Sequence, residues 1–306
     1  MNLQVDWKAP IRTDVELKSC TTFKIGGPSR YFAEPRTCED LFMALSFHRE
    51  EGCPRYILGR GSNVLFSDAG FPGLVLSLRR LESSRIFFEK EGLVRASAGM
   101  SLIQLNLACQ EKGLSGVEFL CHIPGTVGGA LVMNAGFGRP DGKYQEMKDV
   151  VESVELLYPN GAVEVLGRED VRFEYRNTNL PQDVLVLEVR FRLTPRRRDA
   201  IQGEIKANFR YRNSVQDLRY PSAGSTFKNP VGYSMTGGEL LDRVQMKNMR
   251  VGGAMVSDRH ANFILNVDHA RADDVLELMS IGQKRVFEQF GIRLEPEVRY
   301  VSSHDS

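Results

Sequence analysis

The sequence predicts an α+β fold, and three patterns along the chain indicate it. Short apolar runs alternate with capped helices through the first 115 residues, which is typical of a sheet covered by helices. Two strand-like runs at 151–157 and 163–166 flank a turn at 159–161 and predict a hairpin. An amphipathic helix is predicted over 273–290. At about 100–200 residues per domain, the length suggests two domains.

Capping residues define the predicted helices. Residues 38–51 form the first, because Thr37 is a candidate N-cap residue, the first turn is acidic and Gly52 follows. The second spans 102–112, and Gly113 suits the left-handed position after its end. Further helices are predicted from about 125 through 135, over 201–210 and over 273–290.

Apolar runs bounded by turn residues predict the strands. These runs are 56–58, 64–66, 74–78, 94–98, 151–157, 163–166, 184–193 and 293–301. The composition becomes polar and charged at 195–200, which is a candidate boundary. We therefore expect a first domain over 1–198, subdivided near 80–115, and a second over 199–306.

The charge balance excludes some classes of partner. Forty basic and 39 acidic residues give a net charge of +1, without the basic excess typical of a nucleic-acid-binding protein. A local basic site for a small anion is still compatible with this balance. No apolar run approaches the ~18–20 residues that cross a bilayer, and residues 1–10 do not resemble a secretory signal. We expect a cytoplasmic protein that binds neither nucleic acid nor membrane.

The cysteines and histidines do not suggest a metal site. The five cysteines are scattered without a C-x-x-C pair, which argues against a disulfide framework or structural zinc and favours reduced thiols. None of the five histidines is spaced with another as a metal pair. No metal is expected.

Two glycine-rich loops are candidates for binding phosphate. Gly59-Arg60-Gly61-Ser62-Asn63 follows a predicted strand, and its backbone N–H groups can converge on an anion, although a tight turn between strands explains it equally well. In the second loop, at 123–130, Pro124 sets the entry to a helix, and Gly125 and Thr126 would place free N–H groups and a hydroxyl at its start. Two such loops in one domain suggest a diphosphate dinucleotide.

Longer motifs resemble the UDP-N-acetylenolpyruvoylglucosamine reductase family. The G-S-x-F-K-N-P pattern at 224–230 and the L-E-P-E-V-R pattern at 294–299 are the most specific. Matching motifs also lie, in family order, at 22–28, 59–65, 123–136, 175–178 and 257–263.

The resemblance implies a fold and a cofactor. The first domain would be a FAD-binding domain of the vanillyl-alcohol-oxidase type, made of two small α/β subdomains, and the second an α+β substrate-binding domain. FAD would bind non-covalently. Its expected contacts are Gly59, Arg60, Gly61, Ser62, Asn63, Val64, Leu65, Ile123, Pro124, Gly125, Thr126, Gly128, Gly129, Asn134 and Gly136.

The resemblance also implies an activity, that of a UDP-N-acetylmuramate dehydrogenase in peptidoglycan precursor synthesis. NADPH would supply a hydride through FAD to C3 of the enolpyruvyl group, and Ser225 would protonate C2. Arg176 and Glu297 would act on the enolic intermediate that forms after hydride transfer. Glu295 is an alternative to Glu297, because residues 295 and 297 lie on the same face of the predicted strand. The expected substrate contacts are Lys228, Asn229, His260 and Arg299.

Several alternatives stay open at this point. Ser225 could cap a turn, Lys228 could be solvated and His260 could be structural. His122 stands where the family commonly has a small residue, and a covalent flavin link there is a minor alternative. Residues 138–149 look longer than usual for the family, and Asp217 replaces an expected proline. An oxidase of the wider flavin superfamily and a non-catalytic UDP-sugar or flavin-binding protein are the competing functions. A monomer is favoured.

Overall fold

The computed structural model describes residues 11–81, 85–139, 141–181 and 183–302. The α-helices in these ranges are α1 (Cys38–Glu51), α2 (Leu102–Lys112), α3 (Val127–Val132), α4 (Arg198–Val215), α5 (Gly237–Arg243) and α6 (Ala272–Phe290). The strands are β1 (Ile11–Glu16), β2 (Pro28–Ala33), β3 (Arg55–Ile57), β4 (Val64–Phe66), β5 (Phe71–Leu76), β6 (Ile86–Phe88), β7 (Leu93–Ser97), β8 (Leu114–Ser115), β9 (Gly136–Gly138), β10 (Tyr144–Glu146), β11 (Val151–Leu157), β12 (Val163–Gly167), β13 (Arg172–Glu174), β14 (Asn177–Asn179), β15 (Leu185–Arg192), β16 (Thr194–Pro195), β17 (Ser222–Ser225), β18 (Arg250–Val251), β19 (Ala254–Val256), β20 (Phe263–Asn266) and β21 (Arg299–Val301).

Three larger sheets organise the fold. The first has the order β1-β2-β5-β3, with parallel pairing of β2 and β3 to β5. The second is antiparallel, in the order β12-β11-β15-β7-β6, and the third is antiparallel, in the order β17-β20-β19-β18. The first two sheets are built from strands within residues 11–192 and the third from strands within 222–266, and helices lie between them in sequence, so the predicted α+β architecture is confirmed.

Local capping explains the helices that the sequence predicts best. The Thr37 hydroxyl accepts a hydrogen bond from the Asp40 amide at 3.0 Å, and the Asp40 carboxylate accepts one from the Thr37 amide at 3.1 Å. This capping box satisfies two donors that the helix itself cannot pair. Gly52 ends α1 with φ +60°, a left-handed conformation that glycine adopts at little cost. The predicted bounds of α1 and α2 are confirmed.

Helix α4 is longer than the predicted 201–210, and it packs on the first domain. The Asn208 side-chain nitrogen Nδ2 donates to the Glu118 backbone carbonyl at 3.1 Å, and the Arg139 guanidinium donates to the Asn208 side-chain oxygen Oδ1 at 2.9 Å. Arg139 also forms an ion pair with Glu204 at 2.9 Å. The domain boundary between residues 198 and 199 stays a prediction. Helix α4 begins at this boundary and contacts Glu118 and Arg139, which precede it in the chain.

The C-terminal segment returns to the first domain. The predicted strand over 293–301 was wrong for most of its length, since only Arg299–Val301 is a strand and Pro296 forms an isolated bridge with Phe227. Strand β21 pairs in parallel with β4. Leu65 of β4 lies, fully buried, in a core cluster with residues of α5 and α6. The two parts of the chain therefore share a core next to the first glycine loop.

Two of the buried cysteines should resist alkylation. Burial raises the pKa of Cys109 and of Cys121 to about 12, so little reactive thiolate forms at neutral pH, whereas Cys38 is exposed. Treatment of the native protein with iodoacetamide at about pH 8 should modify Cys38 and spare Cys109 and Cys121 until a denaturant is added, as peptide mass spectrometry would report. Equal modification of Cys38, Cys109 and Cys121 before unfolding would show that the thiols of Cys109 and Cys121 are not buried.

No described helix combines the length and apolarity that a membrane crossing requires. Among the described residues, no three or more His, Cys, Asp or Glu side chains are grouped so that they could hold a metal ion.

Candidate active site

A cavity of about 1470 Å³ brings the candidate residues together. Single small-molecule sites typically measure about 300–1,000 Å³, so this one has room for more than one ligand. Its lining includes Gly59, Arg60, Gly61, Ser62, Asn63, Val64, Ile123, Pro124, Gly125, Thr126, Gly128, Gly129, Gly136, Arg176, Ser225, Asn229, Glu297 and Arg299.

Ser225 lies at the end of β17, at the edge of the third sheet. It pairs with Phe263 of β20, and the preceding Gly224 has φ +78°. The Thr22 hydroxyl donates to the Ser222 carbonyl at 2.8 Å and fixes the strand to the first domain. The turn residues that suggested a simple cap therefore direct a partly buried hydroxyl to the cavity wall.

Glu297 is brought beside Ser225 by backbone pairing of the two most specific motifs. The Glu297 amide donates to the Thr226 carbonyl at 2.8 Å, and the Lys228 amide donates to the Glu295 carbonyl at 2.9 Å. The Asn63 side-chain amide donates to the Glu297 carbonyl at 3.0 Å and links this ladder to the first glycine loop. Segments distant in sequence thus meet at one edge of the cavity.

Arg176 lies at the tip of the two-residue turn between β13 and β14. Its φ of +56° is left-handed, which costs a non-glycine residue energy and needs support from its surroundings. Asn134 gives that support, since its side chain donates to the Glu174 carbonyl at 3.0 Å and accepts from the Lys148 amide at 3.1 Å. Asn134 is fully buried, so in this structure it holds the turn that carries Arg176.

Arg176 and Glu297 form the charged centre of the site. The Arg176 Nε donates to Glu297 Oε1 at 2.9 Å, and both side chains are mostly buried. Burial raises the pKa of Glu297, and the charges of Arg176 and Lys228 only partly offset it. The Glu297 carboxyl therefore holds a proton more readily than an exposed glutamate.

The structure separates Glu297 from Glu295. The Glu295 side chain is 75% exposed and pairs with Lys228 at 3.3 Å, away from Arg176. The alternation that put both acids on one face fails because residues 293–298 do not form a regular strand. Glu297 is the acid that contacts Arg176.

The first glycine loop has unused backbone donors. Within the described residues, the amides of residues 59–63 donate to no protein acceptor, while the Gly61 carbonyl accepts from the Thr22 amide at 3.0 Å. Gly61 has φ +63°, and an added Cβ would lie 2.7 Å from the Cys20 carbonyl oxygen. A loop of free amides facing a cavity is suited to an anionic group.

The second glycine loop uses one of the two amides that the sequence predicted to be free, that of Gly125, while the Thr126 amide donates to no acceptor among the described residues. The Gly125 amide donates to the Ile123 carbonyl at 2.7 Å, and the Gly128 amide donates to the Ala98 carbonyl at 2.9 Å. The expectation of a free Gly125 N–H was wrong, because the loop folds onto itself and onto the end of β7. A Cβ on Gly128 would lie 2.9 Å from the Ala98 Cβ, so close backbone approach explains this glycine.

Replacing Gly61 should destabilise the protein. Gly61→Ala places a side chain in a left-handed position and against backbone, so we expect the free energy of unfolding to fall by about 1–3 kcal/mol in urea denaturation. Gly203→Ala is the matched control, because it lies in α4 with open space around it and should raise stability by about 0.5–1 kcal/mol. An unchanged free energy of unfolding in Gly61→Ala would contradict the strain expected at this position.

The four candidate substrate contacts divide into two groups. Asn229 and Arg299 line the cavity; the Asn229 side-chain oxygen accepts from the Gly237 amide at 3.0 Å. His260 Nδ1 accepts from the Asn262 amide at 3.2 Å and its ring packs on Phe263 at 4.9 Å, which fits a structural histidine. Lys228 is engaged with Glu295, as described above.

Other side chains line the cavity that were not predicted as site residues. Tyr144, Tyr175, Tyr211 and Arg212 line the wall, and Tyr175 lies under the Arg176 guanidinium at 4.9 Å. His122 also lines the cavity; its ring packs on Phe209 at 4.5 Å, and burial lowers its pKa. Tyr144 and Tyr211 lie in β10 and α4, far apart in the sequence, and no motif or spacing links them to the site.

Comparison with known proteins identifies the family. The family profile for the C-terminal domain of UDP-N-acetylenolpyruvoylglucosamine reductase matches residues 216–301, and that for a FAD binding domain matches 29–167. The UDP-N-acetylenolpyruvoylglucosamine reductase of Moorella thermoacetica is 42% identical over 296 residues, which cover 97% of this chain and 95% of the relative. The chain belongs to the UDP-N-acetylenolpyruvoylglucosamine reductase family. The enzyme of that name from a Synechocystis strain is 39% identical over 94% of this chain and 90% of its own length.

A solved structure agrees with this membership. The crystal structure of UDP-N-acetylenolpyruvylglucosamine reductase from Thermus caldophilus has a TM-score of 0.76 and 38% identity, covering 95% of this chain and 99% of that chain. The family resemblance and the FAD-binding domain predicted from the sequence are therefore confirmed. The individual site residues stay predictions, which the cavity geometry supports.

Proposed function

We propose that this protein reduces the enolpyruvyl ether of UDP-N-acetylglucosamine to UDP-N-acetylmuramate with FAD and NADPH, a step of peptidoglycan precursor synthesis. The observation that carries the proposal is one cavity whose lining includes Ser225, Arg176, Glu297 and the first glycine loop, whose amides have no acceptor among the described residues. Family membership supports the substrate class, and the size of the cavity allows a dinucleotide and a nucleotide sugar to bind together.

The residues present fit a bound FAD. The free amides of residues 59–63 would hold the diphosphate, and the backbone of the second loop, packed close to β7, would form a wall beside it. When bound, FAD supplies hydride transfer from NADPH to the enolpyruvyl carbon C3. The protein then has to bind the substrate, manage charge and deliver a proton.

Arg176 would bind the substrate carboxylate and stabilise the charge that reaches it. Only its Nε hydrogen-bonds to Glu297, so the planar guanidinium keeps donors that this acid does not use and that a carboxylate can accept from. A fixed cation placed where negative charge develops lowers the barrier without reorganisation. Glu297, with its raised pKa, would hold the guanidinium in place and can share a proton with the intermediate.

Ser225 would deliver the proton to C2. A hydroxyl is a weak acid, but the carbon becomes strongly basic once hydride has added to C3, so the transfer runs downhill. The position of Ser225 at the end of β17, beside the ladder that carries Glu297, lets both residues reach one substrate.

A direct assay tests the function. Purified protein should consume NADPH only when the enolpyruvyl UDP-sugar is present, and mass spectrometry should find a product two hydrogens heavier. Substrate-independent oxygen consumption at a comparable rate would favour an oxidase, and flavin or nucleotide-sugar binding without turnover would favour a non-catalytic protein.

We also propose that the protein works as a monomer in the cytoplasm. The cavity contains all three candidate catalytic residues from one chain, which supports a site that needs no partner subunit. Size-exclusion chromatography with light scattering checks the assembly state.

A further inference from the structure

The hairpin of β9 and β10 places a tyrosine at the cavity beside Arg176. Tyr144 of β10 lines the cavity and is half exposed, and its ring lies against Gly138 of β9, where an added Cβ would be 2.8 Å from the Tyr144 Cδ2. An added Cβ on Gly136 would be 3.1 Å from the Tyr144 hydroxyl. The two glycines therefore leave the space that the tyrosine occupies, and the hairpin sets where its hydroxyl lies.

The Tyr144 hydroxyl is committed to a buried carboxylate. It donates to Glu146 Oε1 at 2.7 Å, and the other oxygen of Glu146 pairs with the Lys148 ammonium. Burial opposes ionisation of Glu146, but the hydrogen bonds from Lys148 and Tyr144 more than offset it and lower its pKa. Burial and the bond to Glu146 raise the pKa of Tyr144 to about 12, so the hydroxyl keeps its proton at neutral pH.

The same carboxylate lies close to Arg176 without hydrogen-bonding to it. Glu146 Oε1 is 4.0 Å from Arg176 Nη1, and that nitrogen is buried with no hydrogen-bond partner among the described residues. Glu146 is thus an ionised acid within reach of the guanidinium, and a direct ion pair between them would offset the positive charge that attracts an incoming carboxylate. Its two oxygens are instead engaged by Tyr144 and Lys148.

We propose that Tyr144 is a positioning residue that keeps Glu146 from pairing directly with Arg176 and so leaves the guanidinium available for the carboxylate of the substrate. The proposal rests on the proposed function, because it assumes a carboxylate-bearing substrate at Arg176. The hairpin at 136–146 is then an element that determines how well this site accepts a carboxylate.

The test is a titration of the oxidised holoenzyme with substrate, in which the change in flavin absorbance reports binding. Tyr144→Phe removes only the hydroxyl, which frees Glu146 Oε1 to approach Arg176. We expect the dissociation constant and KM for the enolpyruvyl UDP-sugar to rise about tenfold, the cost of losing one charge-assisted hydrogen bond, while kcat changes less. Binding of UDP-N-acetylglucosamine, which has no carboxylate, should not change.

A double variant separates positioning from packing. In Tyr144→Phe/Glu146→Gln the competing charge is gone, so the affinity for the enolpyruvyl UDP-sugar should return toward that of the unmodified protein. Lys148→Met removes the other partner of Glu146 and should weaken binding in the same direction as Tyr144→Phe, which gives an independent test if the double variant does not fold. Tyr31→Phe is the matched control, because the Tyr31 hydroxyl also donates to a carboxylate, that of Glu51 at 2.8 Å, but Tyr31 does not line the cavity, so binding should be unchanged.

Three results would overturn the proposal. These are unchanged substrate binding in Tyr144→Phe, an equal loss for both ligands, and failure of Glu146→Gln to restore affinity in a folded double variant. The proposed function has its own readout, because it fails only if the unmodified holoenzyme does not turn over the enolpyruvyl UDP-sugar.

Discussion

Ser225→Ala should abolish substrate reduction while leaving the reaction of the enzyme with NADPH nearly intact. The hydroxyl acts only when C2 of the substrate needs a proton, so reduction of the bound flavin by NADPH should stay within about twofold, whereas its reoxidation by the enolpyruvyl UDP-sugar should slow by about 10²–10⁴-fold, the usual contribution of a general acid. Stopped-flow absorbance measures the two half-reactions separately. The variant removes one oxygen from a partly buried strand end, so the fold should be retained.

Ser222→Ala is the matched control for this experiment. Ser222 begins the same strand, and its side chain accepts only a long hydrogen bond, 3.4 Å, from the Gly224 amide. Both half-reactions should be close to those of the unmodified protein. If Ser225→Ala slows both half-reactions equally, Ser225 supports the structure of the site and does not deliver the proton.

Arg176→Lys should lower kcat/KM for the enolpyruvyl UDP-sugar by about 10²–10³-fold, a loss comparable to removing a preorganised group that stabilises an oxyanion. An ammonium has no planar fork, so it cannot bond to Glu297 through one nitrogen and to a substrate carboxylate through others. The left-handed turn at residue 176 depends on backbone support from Asn134, which the substitution leaves in place. Steady-state kinetics, with flavin content and thermal melting as checks of folding, gives the result.

Arg172→Lys tests whether the loss is specific to the cavity. Arg172 lies on the same hairpin, but its side chain is 74% exposed and pairs with Glu174 at 2.9 Å. Exposed ion pairs contribute about 0–1 kcal/mol, so the activity of this control should be unchanged. Near-normal turnover by Arg176→Lys would contradict the role given to the guanidinium.

Elements that depend on a few neighbouring residues could be predicted from the sequence. The bounds of α1 follow from the Thr37 N-cap and from Gly52, and the end of α2 follows from Gly113; both glycines adopt the left-handed conformation, and these interactions lie within one turn of the helix. The hairpin of β11 and β12 follows from its turn residues, and Leu157 pairs with Val163 across it. The family motifs likewise predicted which loops and which serine, arginine and glutamate would share the site.

The choice between neighbouring residues needed the tertiary structure. Glu295 and Glu297 are indistinguishable in an alternating pattern, but the irregular path around Pro296 turns one toward Lys228 and the other toward Arg176. The two glycine loops looked alike as phosphate sites, yet the second uses the amides of Gly125, Val127 and Gly128 in backbone hydrogen bonds, whereas those of residues 59–63 donate to no acceptor among the described residues.

The sequence by itself determined the bounds of α1 and α2, the main hairpin, the family and the side chains available for chemistry, because short-range capping, periodicity and motif spacing depend on residues that are close together in the chain. Only the tertiary structure decided that Arg176 meets Glu297 across 121 positions, that Asn134 supports a strained turn, and that Tyr144 and Glu146 lie beside the same guanidinium. Contacts between distant segments depend on how the sheets pack and on where the C-terminal strand returns, and local patterns do not specify this geometry.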